Sequence, residues 1–306
     1  MGKRRVSWHG SFPALMTPFT EDGAIDEAML RANVRLALEE GVHGIIVCGH
    51  NGEAHVMSPD ERKRVTAIAI EENNGRVPAV CGSGSIATDE VIHLTQDAKD
   101  VGADGVMIET PYFLTPRADD IYKHYAEIAD AVDLPIMLYN NPKRTGVDMD
   151  LELVDKLAEI EGVVAIKDSS FIYDRILELI YGVGDRIQIF VGPARVFGFQ
   201  GIQMGAHGFV DELQQIMGRP GAQLYDLALA NDHERGLPIQ HKAYQLHTLL
   251  AQAPGSYPAT IKDAMRFLGR PGGYSRRPLR AMEGEDLRRF EEGLGAIGLA
   301  PDMAAE

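Results

Sequence analysis

The chain reads as an α/β protein, a (β/α)8 barrel of the TIM type carrying a C-terminal helical extension. Three observations predict this. Eight short apolar runs alternate with stretches of helical periodicity over about 210 residues, a spacing that fits a closed barrel of parallel strands. The runs are near-continuously apolar, as strands covered by helices on one side and a packed interior on the other must be. From about Leu224 the strand pattern disappears and only helical segments broken by Pro and Gly follow. The competing arrangement, an open doubly wound sheet, needs a glycine-rich phosphate turn after its first strand. Thr17-Pro18-Phe19 stands there instead, and Gly82-Ser83-Gly84 lacks the third glycine of such a turn.

The elements follow in order. Ser11–Phe19 is a short apolar segment closed by proline. A helix over Ile25–Glu40 carries Met29, Leu30, Val34, Leu36 and Leu38 and stops at Gly41, where a helix C-terminus favours glycine. Strand Gly44–Cys48 leads to a helix over Ser58–Asn73, with Ser58 as N-cap and Pro59 in its first turn. Strand Val77–Cys81 precedes helix Thr88–Val101, and strand Gly105–Ile108 precedes helix Ala118–Ala131. Strand Pro135–Tyr139 precedes Leu151–Ile160, Val163–Lys167 precedes Ile172–Tyr181, and Ile187–Val191 precedes Arg195–Met204. Gly208–Val210 closes the series. The extension then holds helices over Leu237–Gln252, Ala259–Leu268 and Glu283–Leu294, separated by Pro254-Gly255 and Pro271-Gly272-Gly273. The expected division is a catalytic barrel over residues 1–223 and a helical appendage over 224–306, too small to stand as an independent domain.

Charge and cysteine content narrow the function classes. A net charge of −15 with no long basic run argues against nucleic acid as a partner. It leaves acidic small molecules open, because one local arginine can hold a carboxylate. Cys48 and Cys81 both end apolar runs; two such thiols give neither a disulfide framework nor a zinc spacing, and read as reduced, partly buried residues of a cytoplasmic protein. No apolar run approaches a membrane span. Lys3-Arg4-Arg5 is basic but is followed by no signal-peptide apolar region, and Met1-Gly2 lacks the Ser or Thr at position 6 that myristoylation favours.

In a barrel of this kind the chemistry sits at the C-terminal ends of the strands. Strand two offers Gly49-His50-Asn51-Gly52-Glu53 there, and strand three Gly82-Ser83-Gly84. Strand four offers Glu109-Thr110-Pro111-Tyr112-Phe113, and the end of strand five offers the stretch from Tyr139 to Gly146. The last three offer Lys167-Asp168, Gly192-Pro193 and Val210-Asp211. A strand-end lysine is ordinarily polar punctuation. Here an amine, a phenol at Tyr139 and a guanidinium at Arg144 fall on adjacent ends. A lysine amine condensing with a ketone makes a cationic imine that acts as an electron sink, and a neighbouring phenol can move the protons this requires. A glycine-flanked turn such as Gly49–Gly52 can hold a substrate carboxylate through backbone N–H groups. His50, Glu53 and His55 match no metal-ligand spacing, so no metal is expected.

Three motifs in order, Gly49-x-x-Gly52-Glu53, Tyr139-Asn140-x-Pro142-x-Arg144-Thr145-Gly146 and Ala165-Ile166-Lys167-Asp168-Ser169, resemble the dihydrodipicolinate synthase / N-acetylneuraminate lyase family of class I pyruvate-type aldolases, from Gly10 to about Leu268. The resemblance implies Lys167 as the Schiff-base lysine and Tyr139 as the acid/base group. It places His50 and Asn51 at the carboxylate-holding turn and gives Arg144 the role of clamping a second carboxylate. It puts Val210 and Gly192 along the floor beneath the pyruvyl group, and Tyr112 among the aromatics of the site or interface. It implies no cofactor beyond the covalent imine, and a homotetramer with the Phe113 region and the C-terminal helices near the interfaces. The chain departs from the synthase branch at His50, Asn51 and Phe113, where that branch has two threonines and a tyrosine donated across an interface, so two links of its hydroxyl relay are altered. Asn51 and Lys-Asp-Ser are similar to the 4-hydroxy-2-oxoglutarate aldolase branch. Asp211-Glu212 reads as a solvated loop pair; placed near the mouth, two carboxylates would instead disfavour a dianionic substrate or serve as acid/base groups.

The resulting expectation is a Schiff-base lyase, aldolase or dehydratase, acting on pyruvate or a related 2-oxo acid. A genuine synthase condensing pyruvate with aspartate semialdehyde is the alternative within the class. A non-catalytic 2-oxo acid binding protein is the alternative outside it, against which the retention of both Lys167 and Tyr139 speaks.

Overall fold

The computed structural model of the protein describes residues 6–301; Met1-Gly2 and Lys3-Arg4-Arg5 lie outside them. Eight parallel strands form one sheet: β1 (Gly10–Pro13), β2 (Ile45–Val47), β3 (Ala79–Gly82), β4 (Gly105–Glu109), β5 (Ile136–Asn140), β6 (Val163–Asp168), β7 (Gln188–Val191) and β8 (Gly208–Asp211). From β2 to β8 each strand pairs with the next in the chain, and β1 pairs with β8. A parallel bridge from Ala14 to Ile46 draws β1 and β2 together, so the sheet curls into a nearly closed barrel.

The crossover helices are α1 (Glu27–Glu39), α2 (Pro59–Asn73), α3 (Thr88–Asp100), α4 (Ala118–Ala131), a single turn α5 (Pro142–Thr145), α6 (Leu151–Leu157), α7 (Tyr173–Val183) and α8 (Ala194–Gln203). After β8 come α9 (Leu213–Met217), α10 (Arg219–Leu229), α11 (His233–Gln252), α12 (Tyr257–Phe267) and α13 (Gly284–Ala296). Local chemistry sets several starts. Ser58 caps α2 in a reciprocal box: its hydroxyl accepts from the Glu61 amide at 3.2 Å, and the Glu61 carboxylate accepts from the Ser58 amide at 2.9 Å. Asp26 caps α1 by accepting from the Met29 amide, one residue later than the apolar pattern starts. The short helices α5 and α9 and the longer α10 were not expected. Helix α10 runs through residue 223, across the expected division.

Two apolar layers result. Phe12, Ile46, Val80, Met107, Met137, Ala165, Phe190 and Val210 fill the barrel interior with Trp8. Phe12 and Phe190 meet edge to face at 5.2 Å between ring centroids. The outer faces of the strands pack under the surrounding helices. The extension is tied back to the barrel by charge as well as by apolar contact. Arg270 forms a fork on Glu40 of the α1 C-terminus at 2.7 Å, and Arg276 does the same with Glu61 of α2 at 2.8 Å. Cys48 and Cys81 are wholly buried free thiols around the Thr66 hydroxyl, deeper than the partly buried position expected. Among the described residues no helix is long and apolar enough to cross a membrane.

Candidate active site

Lys167 lies one residue before the end of β6, in register with Tyr139 on β5 and Phe190 on β7. Its side chain is buried, and its amine forms no hydrogen bond or ion pair with another described residue. It stands 4.3 Å over the centre of the Tyr139 ring. The Tyr139 hydroxyl accepts from the Asn141 side-chain amide at 2.8 Å. The next residue, Asp168, faces the other way and is fully engaged. It accepts from Asn140 at 2.7 Å and from the Ser170 amide and hydroxyl at 3.0 and 2.6 Å. Burial pushes this carboxyl up from its ordinary value, while the Ser170 and Asn140 donors oppose that shift. The alternation of the strand thus separates a chemically bare lysine from a saturated aspartate. Gly192, at the end of β7, is forced by packing: a Cβ there would collide with the Ser169 hydroxyl and the Asp168 carbonyl.

The lysine opens into a cavity of about 280 Å³ lined by His50, Asn51, Tyr139, Arg144, Gly192 and Val210, so five of the six expected substrate-binding residues surround it with Tyr139. The sixth, Tyr112, lines a second lobe of about 230 Å³ that shares His50, Tyr139, Asn141 and Arg144 with the first. Arg144 is exposed at the mouth, with no protein partner among the described residues for its guanidinium. The backbone amides of His50, Asn51 and Gly52 make no hydrogen bond to another described group, which leaves three consecutive donors for an anion. Burial, reinforced by Arg144, His55 and Lys167, holds the His50 imidazole down to about 3, so it is neutral in the working range, and its Nε2 is buried without a partner. His50 stacks on His55 at 5.4 Å.

Asp211 and Glu212 correct the reading of a solvated loop pair. Both are buried, with Arg195 of α8 between them at 2.9 and 2.6 Å. Glu212 also accepts from Asn51 at 2.9 Å and from the Tyr257 hydroxyl, and Arg195 donates to His247 at 3.0 Å. Burial pushes Asp211 up, against the pull of Arg195. Burial also opposes the charge on Glu212, but Arg195 and the Tyr257 hydroxyl hold it below the usual carboxylate range. The Asn51 side chain is therefore committed to the wall, and its amide is what remains for a ligand. The helices of the extension supply His247 and Tyr257 to this wall, which no local signal in the sequence marks.

Glu53 does not converge with His50 and His55. It points behind the turn to Lys262 of α12, at 2.6 Å, and accepts from the Arg276 amide at 3.0 Å. Lys262 is fully buried, also donates to the Thr17 and Tyr274 carbonyls at 2.6 and 2.8 Å, and is held by burial down to about 8. Glu53 itself sits at φ +57°, a left-handed conformation that this tie maintains. Phe113 is not in the site: it is 89 % exposed, at φ +71°, beside the 60 % exposed Leu114. Glu109, which the sequence reading passed over, lines the second lobe.

A nearly closed (β/α)8 barrel with a bare lysine at the sixth strand end and a phenol on the fifth defines a protein of the class I, pyruvate-dependent lyase type. The chain belongs to the dihydrodipicolinate synthetase family, whose sequence model matches residues 7–297. Members of this family hold pyruvate as a covalent Schiff base on a lysine and need no external cofactor. The chain is 35% identical over 294 residues to an uncharacterized DapA-like lyase of Rhizobium meliloti, covering 94% of this chain and 97% of that protein. It is 39% identical over 265 residues to a 4-hydroxy-tetrahydrodipicolinate synthase of Pelobacter propionicus, covering 85% and 88%. The crystal structure of the chloride-inhibited dihydrodipicolinate synthase of Acinetobacter baumannii complexed with pyruvate superposes with a TM-score of 0.89 at 30% identity, covering 95% of this chain and 99% of that one.

Proposed function

We propose that the protein is a Schiff-base lyase in which Lys167 captures the ketone of pyruvate or a related 2-oxo acid and Tyr139 moves the protons. The observation that carries this reading is the Lys167 amine itself, buried, without counter-ion, 4.3 Å over the Tyr139 ring at the floor of a cavity. The amine adds to the C2 carbonyl and water leaves, giving an iminium. In cleavage, the bond between C3 and C4 breaks and its electron pair enters the iminium to give an enamine; protonation at C3 and hydrolysis release pyruvate. The free amides of residues 50–52 receive the carboxylate on C1. Tyr139, with its oxygen oriented by Asn141, is the proton carrier next to the imine.

Aldol cleavage, condensation or dehydration of a hydroxylated 2-oxo acid is favoured over true synthase activity. The support is a neutral imidazole at His50, an Asn51 side chain committed to Glu212, and an aromatic without a hydroxyl at Phe113. Genuine synthase activity is the second reading, kept by the relatives that carry that name. Borohydride reduction in the presence of pyruvate, followed by peptide mass spectrometry, tests the proposal: an adduct on Lys167 is expected. Its absence across a panel of 2-oxo acids overturns the reading. The exposed Phe113-Leu114 tip fits burial between subunits of a homotetramer, and sedimentation velocity should return the mass of four chains. The two buried free thiols fit a reducing, cytoplasmic setting.

A further inference from the structure

Glu212, the first residue after β8, is tied to the turn whose free amides face the Lys167 cavity. It is 3 % exposed and stands at the start of α9. Its Oε2 accepts from the Asn51 side-chain amide at 2.9 Å. Its Oε1 accepts from the Tyr257 hydroxyl of α12 and lies 2.6 Å from the Arg195 guanidinium of α8. Its own amide and the Asp211 carboxyl also lie against it. Burial opposes the charge on this carboxylate, and Arg195 and Tyr257 outweigh burial, so it stays ionised. The bond to Glu212 is the one hydrogen bond the Asn51 side chain makes among the described residues. The turn is otherwise closed by two longer bonds, from the Glu53 amide to the His50 carbonyl at 3.1 Å and from the Ala54 amide to the Gly49 carbonyl at 3.4 Å. Beyond it, Glu53 is held by Lys262. The amides of residues 50–52 thus sit between two anchors, and α12 backs both, with Tyr257 behind Glu212 and Lys262 behind Glu53.

We infer that Glu212 is a positioning residue for the C1 carboxylate of the substrate: through Asn51 it fixes the turn so that the three free amides are in place before the substrate arrives. The inference rests on the lyase reading above. Amides that are already ordered lose no further conformational freedom on binding, and this appears as affinity. A carboxylate so close to an anion site would ordinarily repel the anion. Arg195 removes that objection, because it is buried with both acids, 2.9 Å from Asp211 and 2.6 Å from Glu212. Its Nε donates to His247 at 3.0 Å, so the guanidinium is held in the wall and does not compete with the turn for the substrate. An uncharged residue at position 51 suits the link. The Asn51 amide donates to Glu212, where an acid would face a carboxylate in the wall and another on the substrate. Neither Lys167 nor Tyr139 is bonded to this network, so loosening it weakens capture of the carboxylate and leaves chemistry at the ketone in place.

The test separates the carboxylate from the ketone. Cyanoborohydride trapping on Lys167 is followed by intact-protein mass spectrometry against the concentration of pyruvate, and of methyl pyruvate, which keeps the ketone and lacks the charge. A glutamine at 212 has one acceptor oxygen and cannot serve Asn51 and the Arg195–Tyr257 pair at once. Glu212→Gln should raise the half-saturating pyruvate concentration by about 20-fold and that of methyl pyruvate by no more than about twofold. Exchange of the pyruvate methyl protons with deuterium oxide, read by NMR, should show KM rising in step while kcat falls less than about threefold. Asn51→Ala leaves the Arg195 wall in place; it should show the same selective loss, and it decides the matter if Glu212→Gln does not fold. Asn51→Asp combined with Glu212→Gln reverses donor and acceptor, and should bind pyruvate at least about fivefold more tightly than Asn51→Asp alone. Equal shifts for pyruvate and methyl pyruvate, or no shift for pyruvate, overturn the inference. So does a wild-type protein that traps both compounds with the same half-saturation. A wild-type protein that traps no 2-oxo acid overturns the lyase reading instead.

Discussion

Lys167 and Lys262 are both buried lysines, and their surroundings are opposite. Lys262 is enclosed by a carboxylate, two backbone carbonyls and the face of Phe19 at 4.6 Å. Lys167 has a single aromatic face and an open cavity. The first ammonium has two hydrogen bonds and an ion pair, and the second amine has neither among the described residues. A buried charge with all its partners fixes structure; a buried amine without them is free to make a covalent bond. One turn links the two, because Glu53 reaches back to Lys262 while His50 faces the Lys167 cavity.

The largest expected effect tests the bare side of this contrast. Lys167→Met should abolish the pyruvate adduct and lower turnover by at least about 10⁴-fold, with a melting temperature equal to or above that of wild type, since no partner is left behind. A fall in stability comparable to the fall in activity would break the comparison. Tyr139→Phe should cost about 10²–10⁴ in turnover while leaving the adduct detectable after long reduction.

On the saturated side, Lys262→Met should lower unfolding free energy by roughly 3–5 kcal/mol in urea denaturation, because Glu53 is left buried and unpaired. Adding Glu53→Gln to that variant should recover part of the loss; no recovery would mean that packing, and not the charge pair, holds the turn. The smallest effect concerns pH. The His50 imidazole titrates near 6.5 in the unfolded chain and at about 3 in the folded one, so the unfolded state binds more protons between these values. Stability should therefore fall as pH drops from about 6.5 towards 3, by on the order of a few kcal/mol. His50→Gln should flatten that slope in thermal melts across the range.

Much of this was legible in the chain. Each strand run gave its element to within a few residues, because apolar runs bounded by Gly and Pro carry their own punctuation. The pairing of Tyr139 with Lys167 followed from placing them on adjacent strand ends. Glu109 was legible in principle, as the residue two beyond an inward-facing Met107, but nothing set it apart until register placed it beside Tyr139. Asp211-Glu212 was misread because two adjacent carboxylates look like solvent-facing chain. Their counter-ion, Arg195, is 16 residues from Asp211 in sequence, with no motif to announce it.

By itself the sequence determined the barrel, the order of its strands and which lysine stands at a working strand end, since these depend on local periodicity and on a fold that always places strand C-termini on one face. Only the tertiary structure decided which groups are satisfied. On burial alone Lys262 looks more reactive than Lys167. Reactivity depends on partners brought from distant segments, and those are fixed when the extension closes over the barrel mouth, not when any one stretch is read.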